Sequence, residues 1–255
     1  MNYPVFLNKY NLEPLFTPSE FLQYRQRENQ GDNFNLPGEA IIIYHPRLFD
    51  YIKQIYRPRK HKNGLYLLTV KDKELLLIFS GGIGAPMITV FWEEVIAAGV
   101  HRALNLGTTG GLQKFLKVGD FILCDQAIRD EGVSYHYLPP LKYVSASEKL
   151  TSQIHSFLEK RNINFYQGTC WTIDAPYRET TQEIIHYQNE GVLCVDMETA
   201  ALFAVAQFRK VEIISLFTIS DLLGDLKWQP QFNAEKVRYG LRTTFQMALE
   251  FFTEN

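Results

Sequence analysis

The chain has 255 residues, 46% hydrophobic and 21% charged, with a formal net charge of −2. That length and composition fit one globular domain with a large core, and the near-neutral balance argues against a general nucleic-acid or membrane-surface binder. Three cysteines, Cys124, Cys170 and Cys194, are scattered through apolar runs, which reads as buried free thiols in a reducing, cytoplasmic setting with no metal-binding pair. Met1–Phe6 lacks a basic stretch followed by an apolar core, so no signal peptide is expected. No apolar run approaches the roughly 20 residues of a bilayer span.

Residues 1–38 read as a polar, irregular N-terminal arm, broken around Gly31-Asp32-Asn33 and at Pro37-Gly38, with one short helix over Pro18–Arg27. Residues 39–255 read as one domain in which strands and helices alternate. Ala40–Tyr44 is a strand and Leu48–Tyr56 a helix. Leu65–Val70 and Glu74–Phe79 form a hairpin, and Pro86–Ala98 is helical. Ala103–Leu106 and Asp120–Ala127 are strands, followed by a helix over Ser147–Lys160. A strand over Asn164–Trp171 precedes a helix over Glu179–Glu190 and a strand over Leu193–Val195. The chain closes with a helix over Thr199–Phe208, a strand over Glu212–Ile219 and a helix over Ala234–Phe252. This alternation predicts an α/β fold, and the hairpin makes the sheet mixed.

In such folds ligands sit beyond the carboxyl ends of the strands, so the residues after each strand carry the chemistry. Ser80-Gly81-Gly82-Ile83-Gly84-Ala85-Pro86 links a strand to a helix. Its glycines permit close backbone approach, and the helix start offers free N–H groups to an anion, although such turns are also common as plain structure. Gly107-Thr108-Thr109-Gly110-Gly111 is a second glycine turn with two hydroxyls, and the pair makes a polyanion or sugar site credible. Val195-Asp196-Met197-Glu198 ends an apolar run on two acids. Glu198 there is either satisfied by backbone groups or kept to hold a polar ligand. Asp221, after Ser220 and flanked by Ile219 and Leu222, is a candidate proton donor in a partly desolvated place; the alternative is a cap by Ser220 or Asp221.

These motifs, with Val118-Gly119-Asp120, occur in the order Gly82-Ile83-Gly84-Ala85-Pro86, Leu106–Gly111, Val118–Asp120, Val195–Ala201 and Ile219-Ser220-Asp221. In order and spacing they resemble the nucleoside phosphorylase and nucleosidase family, over about Ala40 to Phe252. The resemblance implies a single-domain, three-layer α/β fold, with a central mixed sheet flanked by helices, that cleaves a ribosyl N-glycosidic bond. Glu198 and Asp221 become the expected catalytic pair. Met197, Glu198 and Thr108 are expected to hold the ribose, since a carboxylate accepts from both donors of a vicinal diol. Gly82, Thr108 and Arg47 are expected at phosphate, with Lys62, from the cluster Arg57–Lys62, reaching it from a neighbouring subunit. The resemblance puts Thr109, Gly110, Pro176, Tyr177 and Asp221 at the base, with Asp221 marking the purine-cleaving branch. The family's stacking ring falls at Pro176, so Tyr177 or Trp171 is expected to stack instead, with a core role for Trp171 as the alternative.

Two departures bear on the nucleophile. Asn105 stands where phosphorylases of the family carry an arginine, as in nucleosidases that use water. Tyr44-His45-Pro46-Arg47 replaces a Gly-Asp-Pro-x-Arg-like turn, with the arginine one place early and no catalytic glutamate nearby. His45 and His136 read as packing residues. The expected reaction is phosphorolysis of a purine nucleoside to base and ribose 1-phosphate. A hydrolytic nucleosidase, or a weakly catalytic nucleoside-binding protein, is the alternative. Nucleoside and phosphate are the expected partners, with phosphate as co-substrate and no cofactor or metal, in a homo-oligomer, dimer or hexamer.

Overall fold

A computed structural model describes residues 6, 8–28, 35–62 and 64–254; the break expected at Gly31-Asp32-Asn33 lies outside them. In chain order the elements are α1 (Pro18–Glu28), β1 (Glu39–Ile43), α2 (Pro46–Tyr56), β2 (Arg59–Lys62), β3 (Leu65–Val70) and β4 (Lys73–Phe79). Then come α3 (Ala85–Ala97), β5 (Arg102–Gly111), β6 (Phe121–Asp130), β7 (Tyr143–Ser145), α4 (Glu148–Lys160) and β8 (Tyr166–Ile173). α5 (Thr181–Asn189), β9 (Cys194–Asp196), α6 (Thr199–Arg209), β10 (Glu212–Leu222), β11 (Gln229–Pro230) and α7 (Glu235–Glu254) complete the chain.

The isoleucine run of β1 shows how the layers form. Side chains alternate across a strand, so Ile42 joins one core with Ile88 and Trp92 of α3 and Phe203 of α6. Ile41 and Ile43 join the other, with Ile52 of α2, Ile154 of α4 and Phe245 of α7. Helices therefore cover both faces of one sheet, as the sequence predicts. β1 lies parallel to β4 and β5, whereas β4 with β3, and β3 with β2, run antiparallel. β10 pairs parallel with β5 and antiparallel with β6. β6 with β8 and β8 with β9 are parallel, and β9 returns antiparallel to β5. Strands β5, β10, β6, β8 and β9 thus close a ring, and β1, β4, β3 and β2 extend from it as an open wing.

Within the basic run Arg57–Lys62, Arg59–Lys62 forms the edge strand β2, where charged side chains discourage edge-to-edge pairing. Two local predictions need correction. Gly107–Gly111 is not a turn but the end of β5, paired with β10. Gly110 is closely packed there: a Cβ on it would lie 2.7 Å from Leu223 Cδ1 and 3.3 Å from Asp221 Oδ2, so the Leu223 side chain would have to shift. Asp221 likewise lies within β10 and not beyond it. The register slips between Ile219 and Asp221, so Ser220 is the extra residue of a bulge, a device that re-aims a neighbouring side chain.

The alanine-rich start of α6 explains the position of the acids before it. Every residue from Thr199 to Ala206 is buried, and the small side chains allow α6 to sit close under the sheet. That buries the β9–α6 junction, and Asp196 and Glu198 with it. Residues before β1 also pack on the domain: Leu22 and Leu36 are buried in the α3–α6 core, and Arg25 of α1 pairs with Glu94 of α3 at 3.0 Å.

Candidate active site

A cleft of about 720 Å³ opens where β5, β9 and β10 end. β5 contributes Thr108, Thr109 and Gly110; the β9–α6 junction contributes Asp196, Met197 and Glu198; β10 contributes Ser220 and Asp221. The segment after β8 brings Pro176, Tyr177 and Glu179, and the loop after β10 brings Lys227, Trp228 and Phe232. All expected ribose and base residues therefore line one cavity.

Glu198 is 8% exposed. Its Oε1 accepts from the Gly84 N–H at 2.5 Å, which ties the glycine-rich turn to the acid. Burial, and then the nearby Asp196 charge, push its pKa up to about 8. Asp196 is held differently. It accepts from Thr172 Oγ1 at 2.7 Å, Thr199 Oγ1 at 2.5 Å and the Thr199 N–H at 2.9 Å. Burial raises its pKa, and these donors oppose the rise. Asp196 is thus the donor-saturated member of the pair, and Glu198 holds the proton in the empty cleft at neutral pH. The sequence left open whether backbone or ligand satisfies Glu198; the backbone supplies Gly84, and the carboxyl still faces the cavity.

Asp221 is 7% exposed. Ser220 Oγ donates to its Oδ1 at 2.7 Å and Trp228 Nε1 to its Oδ2 at 2.9 Å. It caps no helix. Trp228 and Phe232 form a tilted aromatic pair, with centroids 6.3 Å apart, on the cleft wall. Tyr177, fully exposed at the rim, is free to close over a ring. Trp171 is 0% exposed and donates Nε1 to Asp130 Oδ2 at 2.9 Å, so it is a core residue and does not stack on a ligand.

The residues expected at phosphate are not brought together within one chain. Thr108 lines the cleft, and Gly82 sits in the adjoining turn, its carbonyl accepting from Ser80 Oγ at 2.5 Å. Arg47 donates to Asn233 Oδ1 at 2.8 Å and lines a separate small recess with His45, Arg238 and Arg242. Lys62 lines another recess beside Arg25 and Glu94. In place of a cation, Tyr44 OH donates to the buried Asn105 Oδ1 at 2.9 Å, and Asn105 Nδ2 donates to Ser215 Oγ at 2.9 Å. Ser215 Oγ meets Thr199 Oγ1 at 3.2 Å, so a neutral chain of hydrogen bonds runs from the β1 exit to Asp196. Burial, reinforced by the charges of Glu198 and Asp196, raises the Tyr44 pKa well above its usual range. His136 lies elsewhere, in a cavity of about 840 Å³ between the N-terminal segment and α3. Burial and then Lys9 lower its pKa. Among the described residues, no group of acids, histidines and cysteines could hold a metal, and no helix is long and apolar enough to cross a membrane.

Sequence reading missed Glu179, Trp228 and Phe232. The sequence places Glu179 in the first turn of a helix, but α5 starts two residues later, at Thr181. The signal was present in Thr180-x-x-Glu183, which forms a capping box.

Residues 38–251 match the family model of the Phosphorylase superfamily. The chain belongs to that superfamily. Within it, the chain is 30% identical over 142 residues to the DeoD-type purine nucleoside phosphorylase of Bacillus cytotoxicus, covering 55% of this chain and 60% of that protein. The DeoD-type purine nucleoside phosphorylase of Bacillus mycoides matches to the same extent. The chain therefore spans only about 60% of the length of the curated relatives it matches. Among solved structures, the uridine phosphorylase of Vibrio fischeri ES114 superposes with a TM-score of 0.75 at 24% identity, over 88% of this chain and 95% of that one. The same enzyme complexed with 6-hydroxy-1-naphthoic acid gives 0.75 at 22% identity, over 91% and 100%. At these identities the superpositions establish the superfamily fold.

Proposed function

We propose that this superfamily member cleaves the N-glycosidic bond of a purine nucleoside by phosphorolysis, releasing the base and ribose 1-phosphate. The observation that carries the reading is the placement of two acids, Glu198 just after β9 and Asp221 in β10, on the strands either side of β5, in one cleft with aromatic walls. The curated relatives are purine nucleoside phosphorylases by name, which supports the same reaction class.

The chemistry follows from the two acids. Glu198 loses its proton when a ribose diol enters and then accepts from both hydroxyls; such bonds strengthen as the sugar becomes oxocarbenium-like. Asp221, whose other partners are Ser220 and Trp228, delivers a proton to N7 of the purine. The C1′–N9 bond breaks, the base leaves neutral, and a phosphate oxygen forms the new bond to C1′. Thr108 and the Gly81–Gly84 turn flank the face from which phosphate would approach. A homo-oligomer belongs to the same reading, with Lys62 serving a neighbour's cleft, in a soluble cytoplasmic enzyme.

A second reading rests on the Tyr44–Asn105 pair. A neutral amide bonded to a phenol cannot hold a dianion as a guanidinium does, so water is the alternative nucleophile and the reaction would then be hydrolysis. Incubating adenosine, inosine and uridine with and without phosphate tests both. Base release that requires phosphate, with formation of ribose 1-phosphate, supports phosphorolysis. Equal release without phosphate supports hydrolysis, and no release from any nucleoside contradicts both.

A further inference from the structure

Glu179 is an acid for which the fold provides no partner. The capping box that starts α5 occupies its neighbours: Thr180 Oγ1 accepts from the Glu183 N–H at 3.3 Å, and Glu183 Oε2 accepts from the Thr180 N–H at 2.9 Å. Glu183 is thereby engaged, and Glu179, just before the cap, is left outside the helix facing the cleft. Among the described residues its carboxylate takes no hydrogen bond and no ion pair, and Lys227 on the same cleft makes none with it. The charges it feels are those of two other acids, Asp221 and Glu183, which together with burial raise its pKa to about 7.

A half-buried acid facing other acids, with no donor to offset the loss of water, is destabilised in the empty protein. A ligand that supplies an N–H would relieve it. On the reading above, Asp221 addresses N7 of the purine. N7 and the substituent at C6 lie on the same edge of that ring, and Glu179 lines the same cleft as Asp221, so it is placed to meet the C6 substituent. An ionised carboxylate only accepts hydrogen bonds. An exocyclic amino group gives it a donor, whereas a carbonyl oxygen presents lone pairs to it.

We propose that Glu179 is the specificity-determining residue at the base end of the cleft, accepting a hydrogen bond from the 6-amino group and so selecting 6-aminopurine over 6-oxopurine nucleosides. This rests on the nucleoside-cleaving reading of the same site. The two acids address different atoms of the same ring edge: Asp221 faces N7, and the amino N–H, once bound, supplies the donor that holds Glu179 ionised. The assignment also fits the absence of an ion pair between Lys227 and Glu179 among the described residues: a cation paired with Glu179 would occupy the acceptor that the amino group needs.

The test is the ratio of kcat/KM for adenosine to that for inosine, in the wild type, in Glu179→Gln and in Glu179→Ala. The wild type is expected to favour adenosine, and both variants to reduce the ratio by about 10- to 100-fold, the worth of one hydrogen bond to a charged group. Calorimetric binding of free adenine and free hypoxanthine to the same three proteins should follow the same pattern. An unchanged ratio in both variants overturns the proposal, as does a wild type that favours inosine, or uridine over both purines. If the wild type turns over no nucleoside, the cleavage reading fails, and the adenine-to-hypoxanthine binding ratio alone decides Glu179: a shift supports the assignment, and no shift ends it.

Discussion

The two ends of the cleft are built from opposite materials. The sugar and base end is a concentration of carboxyls, Asp196, Glu198, Asp221 and Glu179, each with a different environment. Asp196 is saturated with donors, Glu198 accepts from the Gly84 N–H, Asp221 is held by a hydroxyl and an indole, and Glu179 has no side-chain partner among the described residues. The nucleophile end is electrically quiet: backbone glycines, Thr108 and a hydrogen-bonded Tyr44–Asn105 pair, with Arg47 turned to Asn233. On the proposed reading, sugar and base would be recognised by residues of one polypeptide, whereas an anionic nucleophile would need a side chain that moves or arrives from a neighbour.

The largest effect that would break this contrast is at Asp221. Asp221→Asn should lower purine nucleoside turnover by about 10²- to 10⁴-fold, the usual worth of a general acid, while calorimetric nucleoside affinity changes little. Unchanged turnover would make Asp221 a structural partner of Trp228. Next comes the sugar hook. In Glu198→Gln the affinity for adenosine should fall about 10- to 100-fold with that for free adenine nearly constant, and equal losses for both would remove Glu198 from the ribose.

At the quieter end the expected effects are smaller. Arg47→Ala should raise the KM for phosphate by about 10-fold, the loss of one charge-assisted hydrogen bond, without changing the KM for nucleoside. An unchanged phosphate KM would leave Arg47 as a surface partner of Asn233. Tyr44→Phe strips the buried Asn105 Oδ1 of its donor and should cost about 1–3 kcal/mol in urea unfolding. No loss would show that the Tyr44–Asn105 bond is dispensable.

A further effect is a pH dependence. The folded pKa of Glu198 is raised from 4.5 to about 8, so the unfolded chain releases this proton first. The stabilisation is complete below about 4.5 and is lost as pH rises towards about 8. The ligand-free wild type should therefore lose stability across that window more steeply than Glu198→Gln. Identical slopes in the two proteins would place the proton elsewhere.

Glu198 and Asp221 were legible as candidates because a carboxylate at the end of an apolar run is costly without a partner, so residue type and position together point to the cleft. The layering came from the family resemblance; in the structure the alternation of Ile41, Ile42 and Ile43 between two cores accounts for it. What escaped was decided by register and by distant partners. Gly107–Gly111 looks like a turn because glycine and threonine favour turns locally, yet pairing with β10 keeps it extended, with Leu223 packed close over Gly110. Trp171 resembles a stacking residue until its bond to Asp130 buries it. Glu179 was hidden inside a helix whose true start was marked only by Thr180 and Glu183. Arg47 carries the right charge, but nothing in its local sequence reveals Asn233 as its partner.

The most direct test of the central claim runs the reaction backwards. Phosphorolysis keeps the activated C1′ in a phosphate ester and is readily reversible, whereas hydrolysis is not. The purified protein should release inorganic phosphate from ribose 1-phosphate only when adenine is added, with adenosine formed in equal amount. Failure to form adenosine, by a protein that nonetheless releases adenine from adenosine, would contradict the phosphorolytic account and assign the cleft to water.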